Sequence, residues 1–241
     1  MCYCKHTESK VIYKDESSLF RMFTANVGII VVRSGKTHKF AFIKKLRMAD
    51  IFNDKVYDSF VFEKQSIPGN TLSGKEFNGC TFINCDFSDC KLLDCDFIDC
   101  HFDTCNLSNA KLGNTGLKVV AFVNCKLIGI DFTDCSDFLF AVQFDKCVLD
   151  YSFFLKKNLK KTFFLDCSIR EANFSESNLT DARFQGCDLH QTVFERTNLH
   201  SVDFRTASNY SINPEANNIR KARFSYPAVL GLLDKYGIIV V

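Results

Sequence analysis

Cysteine is the residue in this chain best suited to chemistry, and it recurs with a period. Of thirteen cysteines, eleven lie between positions 80 and 187. Six of them, Cys85, Cys105, Cys125, Cys147, Cys167 and Cys187, are twenty residues apart, apart from one step of twenty-two. A ladder of thiols would suit a soft metal or a redox change. The spacing argues against both. The CxxC pairs of zinc sites are missing, and ligands arranged in a row do not surround an ion. Parallel side chains about 4.8 Å apart do not offer the close Cβ approach of a disulfide. The remaining role is that of a small buried hydrophobe, in a slot that Ala, Thr or Val fills elsewhere. No metal or other cofactor is expected.

Other candidates for chemistry are weaker. Ser34-Gly35-Lys36-Thr37 matches the end of a phosphate-binding loop, but that motif needs Gly where the chain has Ile30. Carboxylate pairs are so frequent that no single pair is informative. An enzyme is not expected.

The elements that hold these residues follow from a second period. From Cys80 the chain reads CTFIN CDFSD CKLLD CDFID CHFDT CNLSN AKLGN. Every fifth residue is Phe or Leu, with a small residue two places before it. A period of five excludes both an amphipathic helix and a simple hairpin strand. Read every twenty residues, Phe62, Phe82, Phe102 and Phe122 form one column. After a two-residue shift it continues through Phe144, Phe164, Phe184, Phe204 and Phe224. Three further columns start at Ile67, Leu72 and Phe77. Twenty residues therefore make one four-sided coil, with the central Phe or Leu and the preceding small residue turned inward. By this register His190 and His200 lie on opposite walls and cannot share a metal.

The pattern resembles the pentapeptide-repeat family, whose consensus is A(D/N)Lxx; EANFSESNLTDARFQGCDLHQTVFERTNLHSVDF (171–204) fits it closely. The resemblance implies an all-β fold, a right-handed quadrilateral parallel β-helix, over roughly 60–224. About nine layers at roughly 4.8 Å give a rod about 38 Å long.

The near-neutral total of +2 hides a division. Residues 1–47 hold ten Lys/Arg against three acids, a net of +7, so the remainder carries −5. They read as a basic extension, either a poorly ordered arm or sequence upstream of a true start at Met48. Residues 48–59 form a lead-in, 60–206 the β-helix, and 207–241 a final loop with a C-terminal cap. The longest apolar run, Val27–Val32, is far short of the ~20 residues of a membrane span, and no signal peptide is apparent. A cytoplasmic protein with reduced thiols is expected.

Function is then sought on the surface. Early coils carry Asp86, Asp89, Asp94, Asp96, Asp99 and Asp103, a candidate acidic face. Later, Phe153, Leu155, Phe163 and Leu165 fall on outward positions, a candidate partner patch; alternatively the irregular segment Cys135–Gln143 folds over them. Lys157 falls on an inward position, which predicts a bulge in its wall. At the C-terminus Ser225 and Pro227 predict a helix to about Lys235, ended by Gly237 and followed by a strand. That tail is similar to the one that pairs two rods in Qnr-like family members. The likeness implies a homodimer through Leu230, Leu233, Tyr236, Ile238 and Ile239; a simple cap is the alternative. Two functions follow: a protein-interaction scaffold, or, as the Qnr likeness implies, a DNA mimic that binds DNA gyrase or another type II topoisomerase and protects it from quinolones. The modest charge, the cluster Lys156, Lys157, Lys160 and Lys161, and the lack of the two large Qnr loops count against the second. Neither reading involves direct nucleic-acid or membrane binding.

Overall fold

The computed structural model describes residues 52–239. The basic extension, the run Val27–Val32 and Ser34–Thr37 lie outside the described residues. No described helix is long and apolar enough to cross a membrane.

The chain winds as a parallel solenoid with four walls, named A to D in the order the chain visits them. Wall A has strands Val56–Asp58, Glu76–Asn78, Asp96–Ile98 and Gly116–Lys118, paired in parallel in that order. Wall B is a seven-stranded ladder from Val61–Glu63 to Arg183–Gln185. Its register puts Phe62 on Phe82, Phe82 on Phe102, Phe102 on Phe122, Phe122 on Phe144, and so on to Phe184. The bridge Asp203–Arg223 carries the column to Phe204 and Phe224. Walls C and D are built mostly of single parallel bridges, such as Asp86–Asn106 and Asn173–Val193.

Each five-residue side repeats one conformation. The central residue and the one two before it are buried, and the flanking pair faces outward. The residue two after the centre turns the corner in the left-handed region, as Asn84, Asp89, Asp94 and Asp99 do at φ between 51° and 56°. That backbone costs an L-residue roughly 1–2 kcal/mol, and Asn, Asp and Gly bear it best. The corner thus explains the Asx bias of the repeat.

The shaft is filled with aromatic rings. Along wall B they stack nearly parallel, with centroids 4.5 Å apart for Phe82–Phe102 and 4.7 Å for Phe164–Phe184. Wall D presents its rings edge-on to them, as Phe154 does to Phe164 at 88°. Both arrangements are favourable for ring quadrupoles.

The chain departs from the sequence reading at both ends. At the start, Tyr57 already pairs with Phe77, and buried Phe52 packs on Tyr57, Phe62 and Phe77, so the solenoid begins inside the predicted lead-in. At the end, the stretch from 207 that reads as a final loop continues the solenoid. Ala207, Tyr210 and Ile212 are buried and Asn198 bridges Asn218, making one more, irregular coil. The expected helix is two 3-10 turns, Ala228–Leu232 and Asp234–Tyr236. Ser225 does not cap them; its hydroxyl donates to the Arg205 carbonyl. Gly237, at φ 59°, ends them, and no strand follows through Ile239.

Candidate interaction surface

The small inward slot is defined by a donor. Cys85 Sγ lies 3.4 Å from the Phe62 carbonyl, and Cys105, Cys125 and Cys187 repeat the contact to Phe82, Phe102 and Phe164. Thr115 and Thr197 donate from the same slot to Leu92 and Phe174, at 2.7 and 2.9 Å. The thiols thus serve as compact groups with a weak donor aimed at the layer below. All eleven described cysteines are buried and free. Burial pushes the Cys90 thiol up to about 11 and the Cys135 thiol up to about 12. In the ladder, the hydrogen bonds that Cys105 and Cys147 donate to the sulfurs on either side, together with burial, hold these two thiols protonated. Among the described residues no cluster of His, Cys, Asp or Glu could hold a metal ion.

The six early acids do not share a wall. Asp86 is on wall C, Asp96 on wall A and Asp103 on wall B, while Asp89, Asp94 and Asp99 turn three different corners. Several are engaged locally. Asp86 accepts from Ser88 and Asn106, Asp94 from Asn114, and Asp96 pairs with Lys118 at 2.7 Å.

The four apolar candidates divide in the same way. Phe153, between Asp131 and Asn173, and Leu155 stand on wall D; Phe163 and Leu165 stand on the opposite wall B. Phe153 is 45% exposed, so Cys135–Gln143 does not cover it. The Phe163 ring is stacked under the Arg183 guanidinium. Of the five C-terminal residues, Leu230 and Leu233 are half-buried, and Tyr236, Ile238 and Ile239 are exposed. Tyr236 donates to Glu215. Ala228 and Leu232 pack on the end of the core.

Lys157 does not break its wall. The inward register runs on from Phe154 to Leu159, and Lys157 is 2% exposed. Its Nζ donates to the Cys135 carbonyl and to Asp137, both at 2.6 Å, and sits over the Phe140 ring. The irregularity is one layer below. There wall A takes seven residues, Cys135–Ala141, where Thr115–Val119 uses five. Asn114 bonds Asp134, but Val120 pairs with Val142, two residues further on. The bulge turns Phe138 and Leu139 into solvent, with Phe138 over the Lys118 ammonium. The sequence reading missed these residues. The available signal was the two-residue excess at 135–143, together with Val119 and Leu139 at corner positions that otherwise carry Gly, polar or charged residues or Tyr151.

A four-sided parallel solenoid with a filled shaft, turning a corner every fifth residue, is built by pentapeptide repeats. The pentapeptide repeat region family model matches residues 75–154, 137–209 and 158–226, and the chain belongs to this family. No curated protein matches the chain in sequence. Among solved structures, a trypsin-treated variant of QnrB1, described as a plasmid-mediated fluoroquinolone resistance protein, aligns with a TM-score of 0.55. Identity is 18% over 75% of this chain and 99% of that one. HetL from the cyanobacterium Nostoc sp. strain PCC 7120, a pentapeptide repeat protein involved in heterocyst differentiation regulation, aligns with a TM-score of 0.48. Identity is 15%, over 70% of this chain and 86% of that one.

Proposed function

We propose that the chain is a non-enzymatic protein-interaction scaffold. The interior supports this, because stacked rings fill the shaft and the thiols are buried within it. Recognition is left to the outward side chains. The observation that carries the reading is on wall D, where Phe153 and, two layers on in the same column, Val193 remain 45% and 40% exposed. Apolar groups on a surface of this kind mark contact sites.

A DNA-mimicking binder of DNA gyrase is the other reading, supported by the fold that the chain has in common with QnrB1. The division of its acids among walls and corners weakens it. One pair of variants separates the two. A photo-reactive residue at position 153 is expected to capture one protein partner, and Phe153→Ser to abolish binding of that purified partner with unchanged melting temperature. Replacing Asp94, Asp96 and Asp99 with Asn is expected to leave that binding intact. Inhibition of gyrase supercoiling by the native chain, lost in the triple Asn variant and kept in Phe153→Ser, would replace the scaffold reading with mimicry.

A further inference from the structure

Wall B has nine rungs, Phe62 to Phe224, and the bulged segment Cys135–Ala141 belongs to the fifth, with Phe144. Four rungs lie on either side of it. The bulge exposes Phe138 and Leu139 by 68% and 65%, and Val119 turns the same A/B edge one rung below at 66%. Val119 and Leu139 have φ of 59° and 57°. All other left-handed corners among the described residues are Gly, polar, charged or Tyr151. An aliphatic group at such a corner is disfavoured twice, by its Cβ against the backbone and by its exposed apolar area. The coil does not require either residue there.

Charge divides at the same rung. The relevant positions are the outward ones flanking each central residue of walls A and B, with the corner between them. Below the bulge these positions hold Asp58, Glu63, Glu76, Asp96, Asp99 and Asp103 against Lys118, a net of −5. From the fifth rung upward they hold Lys160, Lys161, Arg183, Arg205, Arg220, Lys221 and Arg223 against Asp145, Asp181 and Asp203, a net of +4, with Asp137 of the bulge paired to Lys157. Asp58, Asp99, Lys160, Lys161, Arg183, Arg220 and Lys221 make no ion pair among the described residues.

We propose that this edge pairs with the same edge of a second copy of the chain, antiparallel, about a twofold axis through the Phe138–Leu139 bulge. The axis sets bulge against bulge and gives each rung its counterpart counted from the other end. Asp58 and Glu63 on the first rung then meet Arg220, Lys221 and Arg223 on the partner's ninth, −2 against +3, and the three acids of the third rung meet Asp181 and Arg183 on the seventh; nearest the axis Lys118 faces Lys160 and Lys161, so attraction is concentrated at the two ends of the contact. Each such contact occurs twice. A parallel arrangement would set the acidic first and third rungs and the basic ninth rung each against itself, and is disfavoured by the same division.

The test is sedimentation equilibrium of the full chain. A dimer is expected at about 100 µM in low salt, within the affinity range of a modest interface, and it should weaken at about 1 M salt, where charges are screened beyond roughly 3 Å. Phe138→Ser with Leu139→Asn is expected to give a monomer with an unchanged circular dichroism spectrum. Asp58→Lys or Arg220→Glu alone should weaken the dimer about three- to tenfold, and a chain carrying both changes should recover it. A monomer under the first condition overturns the proposal. So does a dimer that survives the bulge variant and is lost in Ile239→Ser, which would place the contact at the C-terminal end. Failure of the double charge variant to recover overturns the antiparallel register.

Discussion

Wall A at Thr115–Val119 and wall A at Cys135–Ala141 are successive passes of the chain over the same side, and they obey different rules. The first holds Thr115 in the small slot, Leu117 at the centre and a corner two residues on, as every regular side does. The second has two extra residues, a half-buried Phe140 instead of a centred Leu, and a lysine from the layer above to close it. In the regular side nearly every residue is accounted for by the coil. In the bulge Phe138 and Leu139 are not, so their identity carries information about something other than folding.

The contrast is broken most severely from the regular side. Phe164 is fully buried between Phe144 and Phe184, with Phe154 and Phe174 edge-on. Phe164→Ala is expected to cost about 3–5 kcal/mol, read as a lower urea midpoint. Phe138→Ala in the bulge should cost under about 0.5 kcal/mol. Equal losses would show that the two sides are not different in kind.

A pH titration comes next. The Cys90 thiol is pushed from 9 up to about 11 by burial, so the folded state favours its protonated form. Below pH 9 both states hold the proton and this stabilisation is fully present. Between pH 9 and about 11 the unfolded chain loses the proton first, and stability falls. The two-unit gap corresponds to on the order of 3 kcal/mol for that one thiol. Melting temperature should therefore decline above pH 9, and less steeply in Cys90→Ala. An identical slope in that variant would mean that the buried thiol does not contribute.

The closing lysine has a smaller effect. Lys157→Ala places in the slot a residue that slots such as those of Ala172 and Ala182 already accept, and leaves Asp137 in water. What is lost is the donor to the Cys135 carbonyl, about 1–2 kcal/mol. The loss should be concentrated in the bulge, appearing as faster amide exchange at 136–141 with wall B unchanged.

What was legible in the sequence follows the same line. The columns, the four walls and the inward cysteines were readable because each coil imposes the same demands every twenty residues. Phe62 predicts Phe82, and Phe82 predicts Phe102. Lys157 was misread as a break in register, because a charged residue in an inward slot is tolerable only if a carbonyl and a carboxylate wait at its tip. Those partners, Cys135 and Asp137, belong to a segment that the period does not describe. The division of the acids and of the apolar candidates between walls was implicit in the numbering. Asp94, Asp96 and Asp99 are close in the chain, yet a corner or wall changes every five residues, so nearness in sequence is not nearness on a face. The ends were least legible. Ala207 and Ile212 keep the regular inward slots, but Tyr210 falls one residue past the inward position and closes the core on Phe204 and Phe224 by size.

The smallest effect has the opposite sign. Leu139 turns its corner at φ 57° with two-thirds of its surface in water, while Asn84, Asn114 and Asn124 turn theirs in the same conformation. Asn bears the left-handed region better than Leu and exposes no branched aliphatic group. Leu139→Asn should therefore stabilise the monomer, by about 0.5–1 kcal/mol, measured as a raised urea midpoint at a concentration too low for association. Asp181→Asn, a change between two residues suited to the same corner, should do nearly nothing. If Leu139→Asn destabilised instead, Leu139 would be part of how the bulge packs and its exposure a by-product of folding. If it stabilises, the natural residue is worse for the fold than an ordinary substitute, and the reason for its presence lies outside the isolated rod.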